Sequence, residues 1–179
     1  MILTIARMDE GKGYPHLIRI LSKVLEKVPN LVWFIIGDGP KRELILKDIQ
    51  KNFLQNVVRY IGMTPHAELK QFYYLADLFV LLTHPDEGRE EGLGLVFLEA
   101  AAAGLPVIAG RSGGVEEAVL NGQTGIVVDI YHGDKIVADS IIELLKNEDF
   151  AKTLGMNARI RLEADFKWKN QLKVIGRWI

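Results

Sequence analysis

Two glutamates flank a glycine-containing segment in the middle of the chain. Seven residues separate Glu91 from Glu99, and they include Gly92 and Gly94 near a predicted helix start. Glycines leave backbone N–H groups uncovered there, and these groups, with the positive end of the helix dipole, can bind an anion such as a diphosphate. Carboxylates repel phosphate but accept hydrogen bonds from hydroxyl groups. We therefore predict that Glu91 and Glu99 each hold a sugar-like ring beside a bound anion, as a nucleotide sugar requires.

The elements that must position these carboxylates follow from the hydrophobic pattern. Short apolar runs rich in Ile and Val alternate with longer amphipathic segments, which is typical of a parallel sheet covered by helices. The predicted fold class is α/β, a Rossmann-like doubly wound parallel six-stranded sheet with helices on both faces, in one domain over residues 1–179. Strands are predicted at residues 1–6, 31–36, 57–61, 78–82, 106–109 and 126–128. Helices are predicted at 15–27, 40–51, 65–75, 93–103, 114–120, 133–147, 149–160 and 166–177.

Candidate side chains follow the first four predicted strands. Arg7 ends the first strand, Asp38 follows the second, Met63 the third and Glu91 the fourth. In a doubly wound sheet, the ligand crevice lies at the carboxyl ends of the strands, near the point where the winding reverses. We therefore expect these residues to border one crevice.

Several motifs occur in a fixed order along the chain. Residues 91–99 are followed by an Ala-rich segment at 100–109 and by Ser-Gly-Gly at 112–114, while upstream motifs lie at Arg7, 12–13, 36–40, 58–62 and 74–80. This set resembles the C-terminal donor-binding domain of retaining GT-B glycosyltransferases, namely glycosyltransferase family 4, or glycosyl transferases group 1. The pair of glutamates alone is a weak signal, but the resemblance covers nearly the whole chain.

The resemblance implies three catalytic residues. Arg7 and Lys12 would hold the donor diphosphate and stabilise the negative charge that grows as the sugar leaves. Preorganised cations of this kind can lower a barrier by several kcal/mol. Glu91 would contact the hydroxyls of the transferred sugar. The alternative for Arg7 and Lys12 is a pair of solvated surface charges, which is the usual state of these residue types.

Other residues are expected to bind the donor. The resemblance assigns the ribose hydroxyls to Glu99 and the base to the backbone of Gly62 and Met63. The alternative for Glu99 is an exposed helix glutamate. The phosphates would lie against the glycine-broken turn and helix start, which comprise Gly92, Leu93, Gly94, Leu95 and Val96.

The family implies transfer of a sugar from a UDP-, GDP- or ADP-sugar to an acceptor hydroxyl, with retention of configuration. No metal and no cofactor would take part. The acceptor-binding domain that precedes this region in the family is expected to be missing, so the isolated domain should bind the donor but transfer poorly. Two alternatives remain: another GT-B enzyme such as a phosphorylase or nucleotide-sugar epimerase, and a non-catalytic nucleotide-sugar-binding module.

The composition argues against other functions and locations. Because 22 basic residues balance 23 acidic residues, nothing indicates nucleic-acid binding. The chain has no cysteine, which excludes disulfides and fits a reducing compartment, so we expect a cytoplasmic protein. Residues 166–178 form a basic amphipathic pattern. Packing against a partner domain is the favoured role of this segment, and peripheral membrane contact is the alternative.

Overall fold

The computed structural model describes residues 1–175, which fold around one six-stranded sheet. The strands are β1 (Ile2–Ile5), β2 (Trp33–Ile36), β3 (Val58–Gly62), β4 (Leu78–Leu81), β5 (Val107–Gly110) and β6 (Ile126–Val128). The helices are α1 (Tyr14–Lys27), α2 (Arg42–Lys51), α3 (His66–Leu75), α4 (Leu95–Ala102), α5 (Val115–Ala118), α6 (Asp134–Lys146), α7 (Glu148–Asp165) and α8 (Trp168–Ile175). A 3-10 turn, Ile130–His132, joins β6 to α6.

All strand pairs are parallel, and the strand order is β3-β2-β1-β4-β5-β6. The chain therefore starts in the middle of the sheet, builds outward to β3, and returns to the other side of β1 with β4. This reversal places the topological switch point between β1 and β4. The predicted α/β doubly wound fold is confirmed.

The sheet is covered on both faces, so its central strands are almost wholly apolar. Successive residues of a strand point to opposite faces. Accordingly, Ile2 packs in the core that includes Leu21 of α1, whereas Leu3 packs in the core that includes Phe97 of α4. Both β1 residues are fully buried, and burying each contributes about 1.5–3 kcal/mol. The helices thus hold the strand ends, and the loops beyond them, in fixed positions.

The structure corrects several predicted helix boundaries. The helix expected at 93–103 begins later, at Leu95, because Gly94 adopts a left-handed conformation with φ 72°. The helix expected at 114–120 ends at Ala118, where Val119 turns extended and buries its side chain. The helix expected at 149–160 continues to Asp165, supported by ion pairs four residues apart in its last turns. The predicted C-terminal helix is observed as Trp168–Ile175, and residues 176–177 of that prediction lie outside the described residues.

A buried hydrogen-bond chain ties three central strands together. The Thr4 hydroxyl donates to the Val80 carbonyl oxygen at 2.7 Å and accepts from Trp33 Nε1 at 2.9 Å. Thr4 and Trp33 are both buried. One hydroxyl group therefore joins β2, β1 and β4 just below the crevice.

Replacing Thr4 with Val should lower the free energy of unfolding by about 1–3 kcal/mol, because the buried indole N–H loses its acceptor. Denaturant unfolding followed by circular dichroism measures this change. Thr153→Val is the matched control, since its exposed hydroxyl bonds within α7, and it should change stability by less than about 0.5 kcal/mol. Equal stability of Thr4→Val and the wild type would contradict the structural role of these buried hydrogen bonds.

Candidate donor site

The loops that follow β1 and β4 enclose a cleft of 300 Å³ at the switch point. Three predicted residues, Arg7, Lys12 and Glu91, meet there although they are far apart in sequence. The cleft is lined by Arg7, Asp9, Glu10, Gly11, Lys12, His84, Asp86, Arg89, Glu90 and Glu91. A larger cleft of 680 Å³ lies at the opposite, amino-terminal ends of the strands, lined by residues such as Met1 and Pro106, and contains none of the predicted site residues.

Lys12 and Glu91 form an ion pair across the cleft. Lys12 Nζ donates to Glu91 Oε2 at 2.5 Å, and both side chains are largely buried. Lys12 comes from the loop before α1, whereas Glu91 comes from the loop after β4. The pair leaves Glu91 Oε1 as the carboxylate oxygen available to a ligand hydroxyl.

The loop after β5 fixes the backbone of Glu91. The Glu91 N–H donates to the buried hydroxyl oxygen of Ser112 at 3.0 Å, and the Gly114 N–H donates to the Glu91 carbonyl oxygen at 3.1 Å. A side chain at Gly113 would place its Cβ 2.1 Å from that same carbonyl oxygen, so the loop can approach only because this residue is glycine. The sequence analysis included residues 112–114 in the motif set but did not identify Ser112 as a partner of Glu91.

The start of α4 lies directly after Glu91 and is open. Gly94 caps the helix in a left-handed conformation, and no side chain supplies a cap. The Phe97 N–H bonds to the Gly94 carbonyl oxygen at 2.9 Å. The N–H groups of Leu95 and Val96 belong to the first turn and have no acceptor within a helix, so they are positioned to receive an anion.

Glu99 lies one turn into α4, on the side that faces α3. Its Oε2 accepts a hydrogen bond from the Tyr73 hydroxyl at 2.6 Å, and His66 Nδ1 lies 4.0 Å from Oε1. The Glu99 side chain is 31% exposed and borders a groove of 200 Å³. Glu99 is therefore partly buried and partnered, in contrast to a solvated helix glutamate.

Arg7 and Met63 are more exposed than Lys12 and Glu91. The Arg7 side chain is 67% exposed, and its Nε lies 3.3 Å from Asp9 Oδ2 in the same loop. Met63 is 77% exposed after β3, and the neighbouring Gly62 carbonyl oxygen accepts from the Gly37 N–H at 2.9 Å. Gly62 and Met63 border neither the 300 Å³ cleft nor the 200 Å³ groove, so the proposed base-binding backbone stands apart from both.

The rim of the 300 Å³ cleft carries more acidic than basic side chains. The acidic residues are Asp9, Glu10, Asp86, Glu90 and Glu91, and the basic residues are Arg7, Lys12 and Arg89. Arg89 is held by Asp86, with Nη2 2.7 Å from Oδ2, in a tight turn of the β4–α4 loop. Within residues 1–175, no group of three or more His, Asp or Glu side chains could hold a metal ion. The basic side chains that line this cleft are therefore Arg7, Lys12 and Arg89.

A family model described as glycosyl transferases group 1 matches residues 1–161. The chain belongs to the glycosyl transferases group 1 family. This family assignment confirms the resemblance inferred from the motifs. Among the described helices, the structure contains none that is long and apolar enough to span a membrane.

Curated relatives of this group 1 chain include transferases of several kinds. A GDP-mannose-dependent alpha-(1-6)-phosphatidylinositol monomannoside mannosyltransferase of Mycobacterium tuberculosis is 36% identical over 169 residues, covering 93% of this chain and 44% of that protein. A glycogen synthase of the same species is 32% identical over 168 residues, covering 94% of this chain and 39% of that protein. The chain thus spans less than half the length of these curated relatives.

Solved structures share the fold. A sucrose-phosphate synthase from Thermosynechococcus elongatus matches with a TM-score of 0.85 and 28% identity, over 99% of this chain and 44% of that chain. The C-terminal domain of a group 1 family protein from Francisella tularensis matches with a TM-score of 0.79 and 22% identity, covering 93% of this chain and 86% of that chain. An Anabaena protein in complex with UDP matches with a TM-score of 0.84 and 22% identity, covering 98% of this chain and 47% of that chain. At that identity, the last two matches show the fold alone.

The two glycines before α4 provide a matched pair of substitutions. Gly94→Ala should lower the free energy of unfolding by at least about 1–2 kcal/mol, because it forces a left-handed residue to carry a side chain. Its Cβ would also lie 2.5 Å from Phe97 Cδ2. A Cβ at Gly92 meets no heavy atom within 4 Å, so Gly92→Ala should leave stability nearly unchanged. Denaturant unfolding of both variants checks this, and equal losses at the two positions would show that the left-handed cap is not the cause.

Proposed function

We propose that this chain is the donor-binding domain of a retaining, metal-independent glycosyltransferase that uses a nucleoside-diphosphate sugar. The observation that carries the proposal is the pairing of Lys12 with Glu91 beside the uncapped start of α4, with Glu99 one turn further along. Four residues of helix span about 6 Å, so a phosphate at the start of α4 would have a carboxylate on each side. Family membership and the curated transferase relatives support this reading.

Each site residue has a distinct role in the proposal. The N–H groups of Leu95 and Val96 receive phosphate oxygens, and Lys12 adds a positive charge from the facing loop. Glu91 accepts from hydroxyls of the transferred sugar through Oε1, while Glu99 accepts from the ribose hydroxyls. Arg7 supplies a second cation after it exchanges its contact with Asp9 for one with the diphosphate.

The proposed reaction proceeds on the face that the diphosphate leaves. The bond between the sugar and the β-phosphate oxygen breaks, and a bond between the sugar and the acceptor oxygen forms on that same face. The acceptor proton passes to a phosphate oxygen, which leaves a nucleoside diphosphate. Arg7, Lys12 and the start of α4 stabilise the charge that grows on the diphosphate, so the chain's own groups supply the electrostatic stabilisation.

The partners proposed for the whole protein extend beyond this chain. A GDP- or UDP-sugar is the favoured donor, because one curated relative is named for GDP-mannose and one structural neighbour was solved with UDP. The acceptor would bind to the part of the protein that the longer relatives possess and this chain does not span. We propose a cytoplasmic location, because the chain has no cysteine and so fits a reducing compartment.

Calorimetric titration with UDP, GDP and ADP, in the presence of a chelator, tests donor binding. We expect one nucleotide to bind and Glu99→Ala to weaken it by about 1.5–3 kcal/mol, the value of hydrogen bonds to a charged group. Arg7→Ala should weaken nucleotide binding by less than about 1 kcal/mol, because the Arg7 side chain is exposed. Nucleotide at about 100 times its dissociation constant should stabilise the protein by about 2.7 kcal/mol in thermal unfolding.

Arg159→Ala and Glu163→Ala are matched controls, since these residues form a surface ion pair on α7 outside both clefts. Neither control should change nucleotide affinity. Absence of binding by all three nucleotides, or binding that Glu99→Ala leaves unaltered, would overturn the site assignment.

Glu91→Gln separates recognition of the sugar from recognition of the nucleotide. The variant should bind UDP or GDP with nearly wild-type affinity, because Lys12 and the start of α4 remain in place. Its affinity for UDP-glucose or GDP-mannose should fall by about threefold to tenfold, since a hydroxyl loses its carboxylate acceptor. Competition calorimetry measures both values, and an equal loss for the nucleotide and the nucleotide sugar would remove Glu91 from the sugar-binding role.

A further inference from the structure

Tyr73 has a hydroxyl group that packing does not explain. The residue is 4% exposed, and its ring lies 5.8 Å from the ring of Phe79, which in turn meets Phe97 edge-on at 5.9 Å. A phenyl ring would make these aromatic contacts equally well. The hydroxyl instead reaches out of the core to Glu99, where it donates the 2.6 Å hydrogen bond to Oε2.

In this hydrogen bond, Tyr73 is the donor and the Glu99 carboxylate is the acceptor. Burial, and secondarily the hydrogen bond to Glu99, raise the pKa of the Tyr73 hydroxyl well above its usual value. The hydroxyl therefore stays protonated and donates, while the carboxylate accepts. Tyr73 thus holds one oxygen of Glu99 from the protein side and adds no further negative charge to the site.

Glu99 lines the 200 Å³ groove, and only its Oε2 is bound by Tyr73. A carboxylate offers about four acceptor positions, of which Tyr73 fills one. His66 Nδ1 is too distant from Oε1, at 4.0 Å, to be a hydrogen-bond partner. Because Glu99 lines the groove, its remaining acceptor positions would be available to two adjacent hydroxyl groups of one ligand bound there.

We propose that Tyr73 is a positioning residue that orients the Glu99 carboxylate to accept from a vicinal diol, so that the site selects ribonucleotides over dideoxyribonucleotides. A free Glu side chain must lose rotamer entropy when it binds a ligand. Tyr73 orders the carboxylate before the ligand arrives, so less of this cost falls on binding. This inference rests on the proposed function, because it takes the diol to be the ribose of the donor nucleotide.

Calorimetry on Tyr73→Phe with UDP, GDP and their 2′,3′-dideoxy counterparts tests the inference. The substitution should weaken binding of the ribonucleotide about tenfold and change binding of the dideoxynucleotide less than about twofold. Tyr131→Phe is the control, since it removes the same group from an exposed tyrosine that borders neither the groove nor the 300 Å³ cleft, and it should change neither affinity. Thermal unfolding should confirm that Tyr73→Phe is folded, because its ring contacts are retained.

A second arm measures coupling between the two side chains. In a Glu99→Ala background, Tyr73→Phe should have no further effect on ribonucleotide affinity, because the carboxylate it orients is gone. Equal weakening of ribonucleotide and dideoxynucleotide, a full effect in the Glu99→Ala background, or wild-type affinity in Tyr73→Phe would each overturn the positioning role.

Failure of the proposed function has a different signature. If the wild-type chain binds neither UDP nor GDP, the donor-site assignment fails and the diol inference fails with it. If the wild type binds one of them and the Tyr73→Phe variant binds it equally well, only the positioning role of Tyr73 fails.

Discussion

The parallel pairing of β1 with β4 is the constraint on which the site depends. The two strands share a short register, with Ile2 opposite Leu78 and Leu3 opposite Phe79, and the chain continues from them in opposite directions across the sheet. Their loops therefore diverge above the sheet and leave a cleft, while the helices on both faces prevent the strands from shifting. Lys12 and Glu91 are 79 positions apart in the sequence. They can form an ion pair because the pairing of β1 with β4 brings their loops together.

The charge of the cleft shapes how it can bind an anion. Acidic side chains outnumber basic ones along the rim, and the Lys12 and Arg7 cations are already paired with carboxylates. In the proposed complex, a diphosphate would therefore need backbone N–H groups at the start of α4 as well as the two cations. In the proposed complex, Glu91 and Glu99 would accept hydrogen bonds from the neutral, hydroxyl-bearing parts of the same ligand.

Much of the fold could be predicted from the sequence, because the buried strands of a parallel sheet appear as continuous apolar runs such as residues 78–81. Topology also predicted that Arg7 and Glu91 would meet, whereas Asp38 and Met63, which were expected at the same crevice, do not line the cleft. The roles of Ser112 and Tyr73 could not be predicted in this way. A serine in a glycine turn and a tyrosine on an amphipathic helix give the same local patterns whether or not their hydroxyls contact a site residue, and the contacts arise from elements distant in sequence.

The two carboxylates of the site are supported by separate parts of the fold. Glu91 is held through its backbone by the loop after β5, whereas Glu99 is held through its side chain by α3. In evolutionary terms, the loop that holds Glu91 and the helix that holds Glu99 can change independently. If the proposed site is correct, a substitution in the β5–α5 loop would alter the surroundings of Glu91 while the contact between Tyr73 and Glu99 is kept, so one scaffold could acquire a new sugar preference and retain its nucleotide.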